Sequence, residues 1–367
     1  MASQKQQLKD ALIEEEISSI DTIVDGYKTY QVVRAALEMG LFEWLDNHGP
    51  ASREELVKAL SMKGMFSRSF FQTLAEQGLI IAEKGREGRI SNTGLATRLL
   101  VQKSPTYQGN WILHIADTHS EWSSLKKVLV EPAGNNPDLP AVMAPGLFKS
   151  LGERSLRGEL QEVTKIITAW DGFSSAKKLL DIGGAHGLYA IAACQQNSQL
   201  HAVIFDKPEV IGLTKEYIRA YGMEDRISVV GGDISQDKPG EGYDIVIVSH
   251  LLYQFRRDLP SIFEKVSSIL NPKGLFISNH WFCGPVCGEG STGIRELDLA
   301  FHSGGHPLCH PEKVAEEMTR YGLTVTKKTT APSNFGISHI HVAEKVSLGE
   351  IPQIHNMKES CGCHSCH

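Results

Sequence analysis

Apolar residues recur along this chain in two rhythms, and the change from one to the other divides it. Through the first hundred residues the spacing is helical: Leu8, Leu12, Ile13, Ile17 and Ile20, then Val32, Val33, Ala36, Leu37 and Leu41. Ser52 with Glu55 forms a capping-box signature ahead of Leu56, Ala59 and Leu60. A further helix carries Phe70, Phe71 and Leu74 and is stopped by Gly78. Leu79–Ile81 and Arg89–Ser91, joined through Gly85 and Gly88, predict a β-hairpin. Helices return from Tyr107 to about Trp170, interrupted by EPAGNNPDLP at residues 131–140, a loop by composition. Thereafter short apolar runs near residues 179, 202, 228, 245, 275 and 339 alternate with helical stretches such as Lys207–Tyr221 and Ser261–Leu270. Asn271-Pro272-Lys273-Gly274 signals a turn before the run Leu275–Ser278. This alternation predicts an α/β fold, a Rossmann-like doubly wound and mostly parallel sheet with helices on both faces.

The most informative stretch is LLDIGGAHGLYA, Leu179 to Ala190. It reads as a buried strand, a glycine turn and a helix N-terminus, the place where open α/β sheets bind nucleotide-like ligands. A dinucleotide fingerprint would need glycine at 185 and 188, where Ala185 and Leu188 stand, and no Gly-Lys-Ser/Thr follows. Asp181 at the strand end opposes a pyrophosphate and suits a cation. S-adenosylmethionine, with its ammonium, sulfonium and ribose diol and no phosphate, fits. Asp181, Gly183, Gly184 and Gly187 are the candidates for its methionine end. Asp206, closing the next apolar run about twenty residues on, is placed to accept from ribose hydroxyls. Asp233 with Ile234, closing a third run, suits an adenine.

Composition narrows the setting. Of 367 residues, 41% are apolar and 22% charged, and no apolar run approaches the ~18 residues of a membrane span. The polar, amphipathic N-terminus is no secretory signal, so a cytoplasmic enzyme is expected, without a membrane partner. A net charge of −6 argues against a nucleic-acid partner. Cys194, Cys283, Cys287 and Cys309 are scattered while Cys361, Cys363 and Cys366 crowd the end, a pattern of reduced thiols rather than a disulfide framework.

In LLDIGGAHG, VIFDKPEVI, VVGGDI, YDIVIVSHLLYQF, LNPKGLFIS and ELDLAFHSGG the chain resembles the class I S-adenosylmethionine-dependent methyltransferases. More narrowly, it resembles the two-domain small-molecule O-methyltransferases of the caffeate and hydroxyindole type. The resemblance implies a homodimer with a winged-helix-like dimerisation domain over residues 1–105. It implies a helical linker and acceptor-site wall over 106–172, a catalytic domain over 173–347 and a small-molecule acceptor. A winged helix often reads DNA, but the stretch between its helices (Met62, Lys63, Met65, Phe66, Arg68) lacks a basic cluster, so dimerisation is the better reading. Trp111, His114, Met143 and Phe148 are candidates to line the acceptor site, and Ser249 and His250 fall at the fourth strand's end, Ser249 toward the cofactor and His250 toward the acceptor. At the family's base histidine this chain has Tyr253, and a phenol of pKa ~10 is a poor base. His280 aligns with one acid that supports that base, and His306 or His310 with the other; His302 lies one helical turn before His306.

Three readings of this imidazole-rich set stay open. His280 or His310, with Tyr253, serves as the base of an O-methyl transfer. Alternatively the acceptor is a thiol or carbon, needing less or different proton removal, or the histidines with Cys309 hold a metal. A non-catalytic cofactor- or metal-binding regulator is the competing class. The remaining segment, 348–367, ends in CGCHSCH. Cys361, Cys363, His364, Cys366 and His367 there suit a soft transition metal such as zinc, copper or nickel.

Overall fold

The computed structural model describes residues 14–83, 85, 88–130, 145–283, 292–333 and 335–346. The expectations for Met143, for the loop at 131–140, and for Cys361, Cys363, His364, Cys366 and His367 fall outside the described residues. The chain separates into two compact units, residues 1–113 and 114–367.

The N-terminal unit packs its helices around Leu41, Phe42, Leu56, Phe71 and Leu74, all nearly inaccessible. The helix Arg53–Ala59 starts where the sequence says, because the Ser52 hydroxyl accepts from the Glu55 amide while the Glu55 carboxylate accepts from the Ser52 amide. The hairpin is Ile80–Ala82 paired antiparallel with Arg89–Asn92, and the two-residue strand Ala51–Ser52 adds a third member.

The second unit is built on a seven-stranded sheet. Its strands are β1 (Lys178–Ile182), β2 (His201–Asp206), β3 (Ile227–Gly231), β4 (Tyr243–Ser249), β5 (Leu270–Trp281), β6 (Leu323–Ser333) and β7 (Gly336–Lys345). Across the sheet the order is β3-β2-β1-β4-β5-β7-β6, parallel except that β7 runs antiparallel to both its neighbours. Helices α1 (Pro145–Ser155), α2 (Glu159–Ala169), α3 (Leu188–Gln196), α4 (Ile211–Ala220), α5 (Leu259–Ile269), α6 (Gly293–His302) and α7 (Pro311–Arg320) accompany it. Side chains alternate across a strand, so Leu179, Ile245, Ile247 and Ile277 enter one core while Leu180, Val246, Val248 and Phe276 enter the other. Both faces are buried, which is why these strands read as continuous apolar runs.

Two expectations change in detail. The turn at Asn271–Gly274 does not precede its strand. β5 begins at Leu270 opposite Tyr243, and the four residues loop out, with Lys273 at φ +60°, before pairing resumes at Leu275 opposite Ile245. β6 is not among the expected strands, because its LTVTKKTTAPS is a polar edge strand paired only with β7. No described helix is long and apolar enough to cross a membrane.

Candidate active site

The carboxyl ends of β1, β2 and β4 converge where the strand order reverses, the crevice in which open α/β sheets hold ligands. The glycine turn after β1 is shaped by close approach. A Cβ on Gly184 would stand 2.6 Å from the Asp181 carboxyl carbon, and one on Gly187 would stand 2.4 Å from Ile204 Cδ1. Gly187 also sits at φ +70°, where it caps the N-terminus of α3. The turn is tied to the next strand: the Ala185 amide donates to Asp206 Oδ2 at 2.8 Å and the Gly183 amide to the Phe205 carbonyl at 2.7 Å.

Asp181 is nearly inaccessible, and neither of its oxygens makes a hydrogen bond among the described residues. Burial pushes its carboxyl up to about 7, with the Asp206 charge adding to the shift and the nearby Ala190 amide offsetting it in part. A buried carboxylate left in this condition is a place for a cation. It lines a cavity of about 350 Å³ with Gly183, Gly184 and Tyr189. A second cavity, of about 290 Å³, is lined by Asp233, Ile234 and Lys207 and shares Gly183, Asp206 and Leu251 with the first. Asp233 is turned partly on its own loop, accepting from the Ser235 amide (2.9 Å) and hydroxyl (2.7 Å), and these bonds hold its pKa down. The set of Asp181, the glycine turn, Asp206, Asp233 and Ile234 therefore offers a buried anion, a backbone cradle and a strand-end acid to one elongated space. An amino-acid sulfonium joined to a nucleoside fits that donor set.

A polar network closes the other side. Glu159, the first residue of α2, is buried, and its Oε1 accepts from His250 Nε2 at 2.6 Å and from the Asn279 amide at 2.8 Å. Burial opposes its ionisation, but the His250 charge and the hydrogen bonds from His250, Asn279 and Ser338 outweigh it, leaving its pKa lowered. Asn279 also donates to Ser249 Oγ at 3.0 Å. His250 stands at φ +53°, stacked on Trp281 with ring centroids 3.9 Å apart, and lines the first cavity. Its Nδ1 meets the Tyr253 hydroxyl at 2.9 Å, and that hydroxyl accepts from the Trp281 amide at 2.6 Å. Nε2 carries the proton given to Glu159, and Nδ1 shares a hydrogen bond with the Tyr253 hydroxyl, a group able to donate or to accept there.

The predicted residues separate into two groups. Asp181, Gly183, Gly184, Asp206, Ser249, His250 and His302 line the first cavity, and Asp233 and Ile234 line the second. Tyr253 lies behind His250, buried, its pKa raised well above 10 by burial. His280 is fully buried: its Nε2 accepts from the Leu251 and Leu252 amides (3.2 and 3.1 Å) and its Nδ1 pairs with Ser278 Oγ at 3.0 Å. Burial, then the charges of His250 and His341, hold His280 well below 6.5, so it is a neutral buttress for the loop that carries His250. His306 and His310 line neither cavity; His310 caps α7 at φ +54°, and His306 faces Cys283 and Cys309. Phe148 packs edge-on against Tyr217, and His114 is buried, its pKa lowered by burial; neither lines a cavity. Trp111 belongs to the N-terminal unit.

The sequence reading missed Arg154, Glu159, Trp281 and Phe335. Arg154 is 6% exposed and lines the first cavity. Its Nη1 meets His302 Nε2 at 3.0 Å, and its guanidinium carbon lies 4.6 Å from the Phe335 ring centre. Its Nε and Nη2 have no hydrogen-bond partner among the described residues. Burial pulls its pKa down to about 10, against the attraction of Asp298, and it stays a cation at neutral pH.

Comparison with known proteins settles the class. An O-methyltransferase domain model matches residues 155–285, and an O-methyltransferase dimerisation-domain model matches residues 22–102. The chain belongs to the O-methyltransferase family. This methyltransferase is 30% identical over 264 residues to an uncharacterised protein of Methanocaldococcus jannaschii, covering 71% of this chain and 69% of the relative. It is 27% identical over 243 residues to the 3-hydroxy-5-methyl-1-naphthoate 3-O-methyltransferase of Streptomyces sahachiroi, covering 64% and 68%. The fold matches an O-methyltransferase family protein from Burkholderia thailandensis at a TM-score of 0.70 and 18% identity, over 92% of this chain and 99% of that one. The methyltransferase is accordingly an S-adenosylmethionine-dependent enzyme of class I.

Proposed function

We propose that the enzyme methylates an oxygen of a small acceptor that bears an acidic group, and that Arg154 binds that group. The observation that carries this reading is the buried guanidinium on the cavity wall with two nitrogens lacking a hydrogen-bond partner among the described residues. A buried cation so placed recruits an anion, because an unpaired charge in a dry wall is costly. S-adenosylmethionine supplies an electrophilic methyl group on sulfur when bound. Asp181 holds its cationic end, Asp206 its ribose, and Asp233 with Ile234 its adenine. His250, fixed by Glu159, Tyr253 and Trp281, shapes the wall and orders the hydroxyl-rich edge formed by Ser249 and Tyr189. Both of its nitrogens are engaged in hydrogen bonds, and so are those of His280. The reacting hydroxyl loses its proton to solvent water, its anion favoured by the nearby Arg154 cation; the O–CH3 bond then forms as the S–CH3 bond breaks, with no imidazole base required. The Streptomyces sahachiroi relative acts on a hydroxynaphthoate, an acceptor that carries a carboxylate, in keeping with this reading. The N-terminal unit, helices closed by a short hairpin in the winged-helix manner, is read as a homodimerisation element, and the enzyme as cytoplasmic.

The test is a panel of hydroxyaryl acceptors with and without a carboxylate. Wild type is expected to favour the carboxylate-bearing members, and Arg154→Met to lower kcat/KM for them by about 10²-fold, from a typical 2–5 kcal/mol for a buried charged pair. For the neutral members the variant should change little. Equal losses on both sets, or no preference in wild type, would overturn the reading. A carbon or sulfur acceptor is the second reading, favoured by the same engaged imidazoles, and the position of a carbon-13 methyl label in the product distinguishes it.

A further inference from the structure

Away from the cavity, three soft ligand atoms meet at the end of β5. We propose that Cys283, His306 and Cys309 form a binding site for a thiophilic divalent cation, of which zinc is the natural representative. Cys283 follows β5 two residues after Trp281. After α6 the chain reverses through Gly304 (φ +65°) and Gly305 (φ +100°), delivering His306 and then Cys309.

The backbone sets the spacing. The Cys283 amide donates to the Leu308 carbonyl at 2.8 Å, and the Leu308 amide to the Trp281 carbonyl at 3.1 Å, so the two segments run side by side as a short parallel bridge. The ligand atoms then lie within 4.8 Å of one another. The two sulfurs are 3.8 Å apart, Cys283 Sγ lies 3.3 Å from His306 Nε2, and Cys309 Sγ lies 3.8 Å from His306 Nδ1. With zinc–sulfur bonds of ~2.3 Å and zinc–nitrogen bonds of ~2.0 Å, a tetrahedral ion has S···S edges of ~3.8 Å and S···N edges of ~3.5 Å. The sulfur–sulfur separation and that from Cys283 Sγ to His306 Nε2 match those edges, Cys309 Sγ stands within 4.8 Å of the ligating nitrogen, and a disulfide, with its bond of ~2.05 Å, is not what this spacing describes. Among the described residues neither sulfur is in a disulfide.

The imidazole is also prepared for the role. His306 Nδ1 lies 2.8 Å from the Pro307 carbonyl. A carbonyl only accepts, so Nδ1 carries the proton and Nε2 keeps its lone pair toward Cys283. A metal-bound histidine commonly donates its second nitrogen's proton to a backbone carbonyl in just this way, which fixes its tautomer. All three side chains are half-buried, accessible to an ion from solvent. These three, the ligands found among the described residues, account for three positions of a tetrahedral ion. The ion would clip the end of β5 to the segment that follows His302, and thereby steady the His302–Arg154 pair on the cavity wall.

The competing metal ligands are those of the C-terminal segment, so the test uses the full chain with Cys361, Cys363 and Cys366 changed to Ser and His364 and His367 to Ala. Dialysed against metal-free buffer after zinc loading, it is expected to retain stoichiometric zinc. The cobalt(II)-loaded form should show the intense visible bands of a tetrahedral thiolate site. Cys283→Ser or Cys309→Ser in this background should abolish both signals, while His306→Cys, which keeps three soft ligands, should retain them. Should the serine variants fail to fold, alkylation of the unsubstituted full chain still decides: peptide mapping should show zinc protecting Cys283 and Cys309 from iodoacetamide. Three results overturn the proposal. These are no retained zinc in the tail-substituted chain, cobalt bands that survive Cys283→Ser and Cys309→Ser, or iodoacetamide labelling of Cys283 and Cys309 that zinc leaves unchanged.

Discussion

Asp181 shows how a ligand site is purchased at the scale of one residue. Its carboxyl titrates at about 7 in the folded chain against an ordinary 3.8, so between those values the folded state holds a proton that the unfolded chain has released. Stability therefore falls as pH rises across that window and levels off above it, by an amount on the order of 4 kcal/mol at about 1.4 kcal/mol per unit. A bound cation reverses the sign locally by favouring the carboxylate. Wild-type affinity for S-adenosylmethionine should then strengthen as pH rises towards about 7, by up to ~10-fold per unit, with a proton released on binding. Asp181→Asn should raise the melting temperature of the ligand-free protein at pH 8, weaken binding and remove its pH dependence. Calorimetry in buffers of different ionisation enthalpy checks all three, and an unchanged pH dependence in the variant would refute the assignment. This residue was legible in the sequence because a glycine turn after an apolar run dictates its own chemistry. Arg154 and Glu159 were not. In ERSLRGELQEV they look like any charges on a solvated helix, and only tertiary packing reveals that both are buried.

At the scale of elements, what the sequence displays depends on how many faces an element buries. β1, β4 and the apolar part of β5 are covered on both sides and announce themselves as apolar runs, whereas β6 at the sheet edge carries Lys327 and Lys328 and reads as loop. The bulge at Asn271–Gly274 departs from the expected turn for a related reason, since a turn signal says that the chain bends and not where pairing begins. The helix Glu14–Glu38 presents the opposite case. Ile20, Ile23 and Tyr27 recur at helical spacing, the pattern of a core face, yet they are 60%, 71% and 65% exposed. A one-sided apolar stripe of that kind, in a segment matched by a dimerisation-domain model, is the candidate face for the proposed homodimer. Ile20→Glu with Ile23→Glu should convert a dimer to a monomer in sedimentation equilibrium, with helix content retained by circular dichroism. A dimer unmoved by the double substitution would place the interface elsewhere.

At the scale of the whole molecule, the two units have separate hydrophobic cores. One is built on Phe42, Leu56 and Leu74, the other on the two faces of the sheet. Every residue assigned to the cofactor belongs to the second unit, whereas the candidate dimer face belongs to the first. Ligand and partner should therefore stabilise different parts of the chain. At a ligand concentration about 100 times Kd, binding adds about 2.7 kcal/mol to the unit that binds and nothing to one that does not, while dimerisation makes its own unit's transition depend on protein concentration. Differential scanning calorimetry should resolve two transitions. S-adenosylhomocysteine, the demethylated product of the cofactor, should raise the one belonging to the sheet, and a tenfold increase in protein concentration should raise the other. The monomeric Ile20→Glu, Ile23→Glu variant should lose the concentration dependence and keep the ligand shift. A single transition that responds to both would mean that the units unfold as one, and the separation of dimer face from catalytic sheet would have to be abandoned.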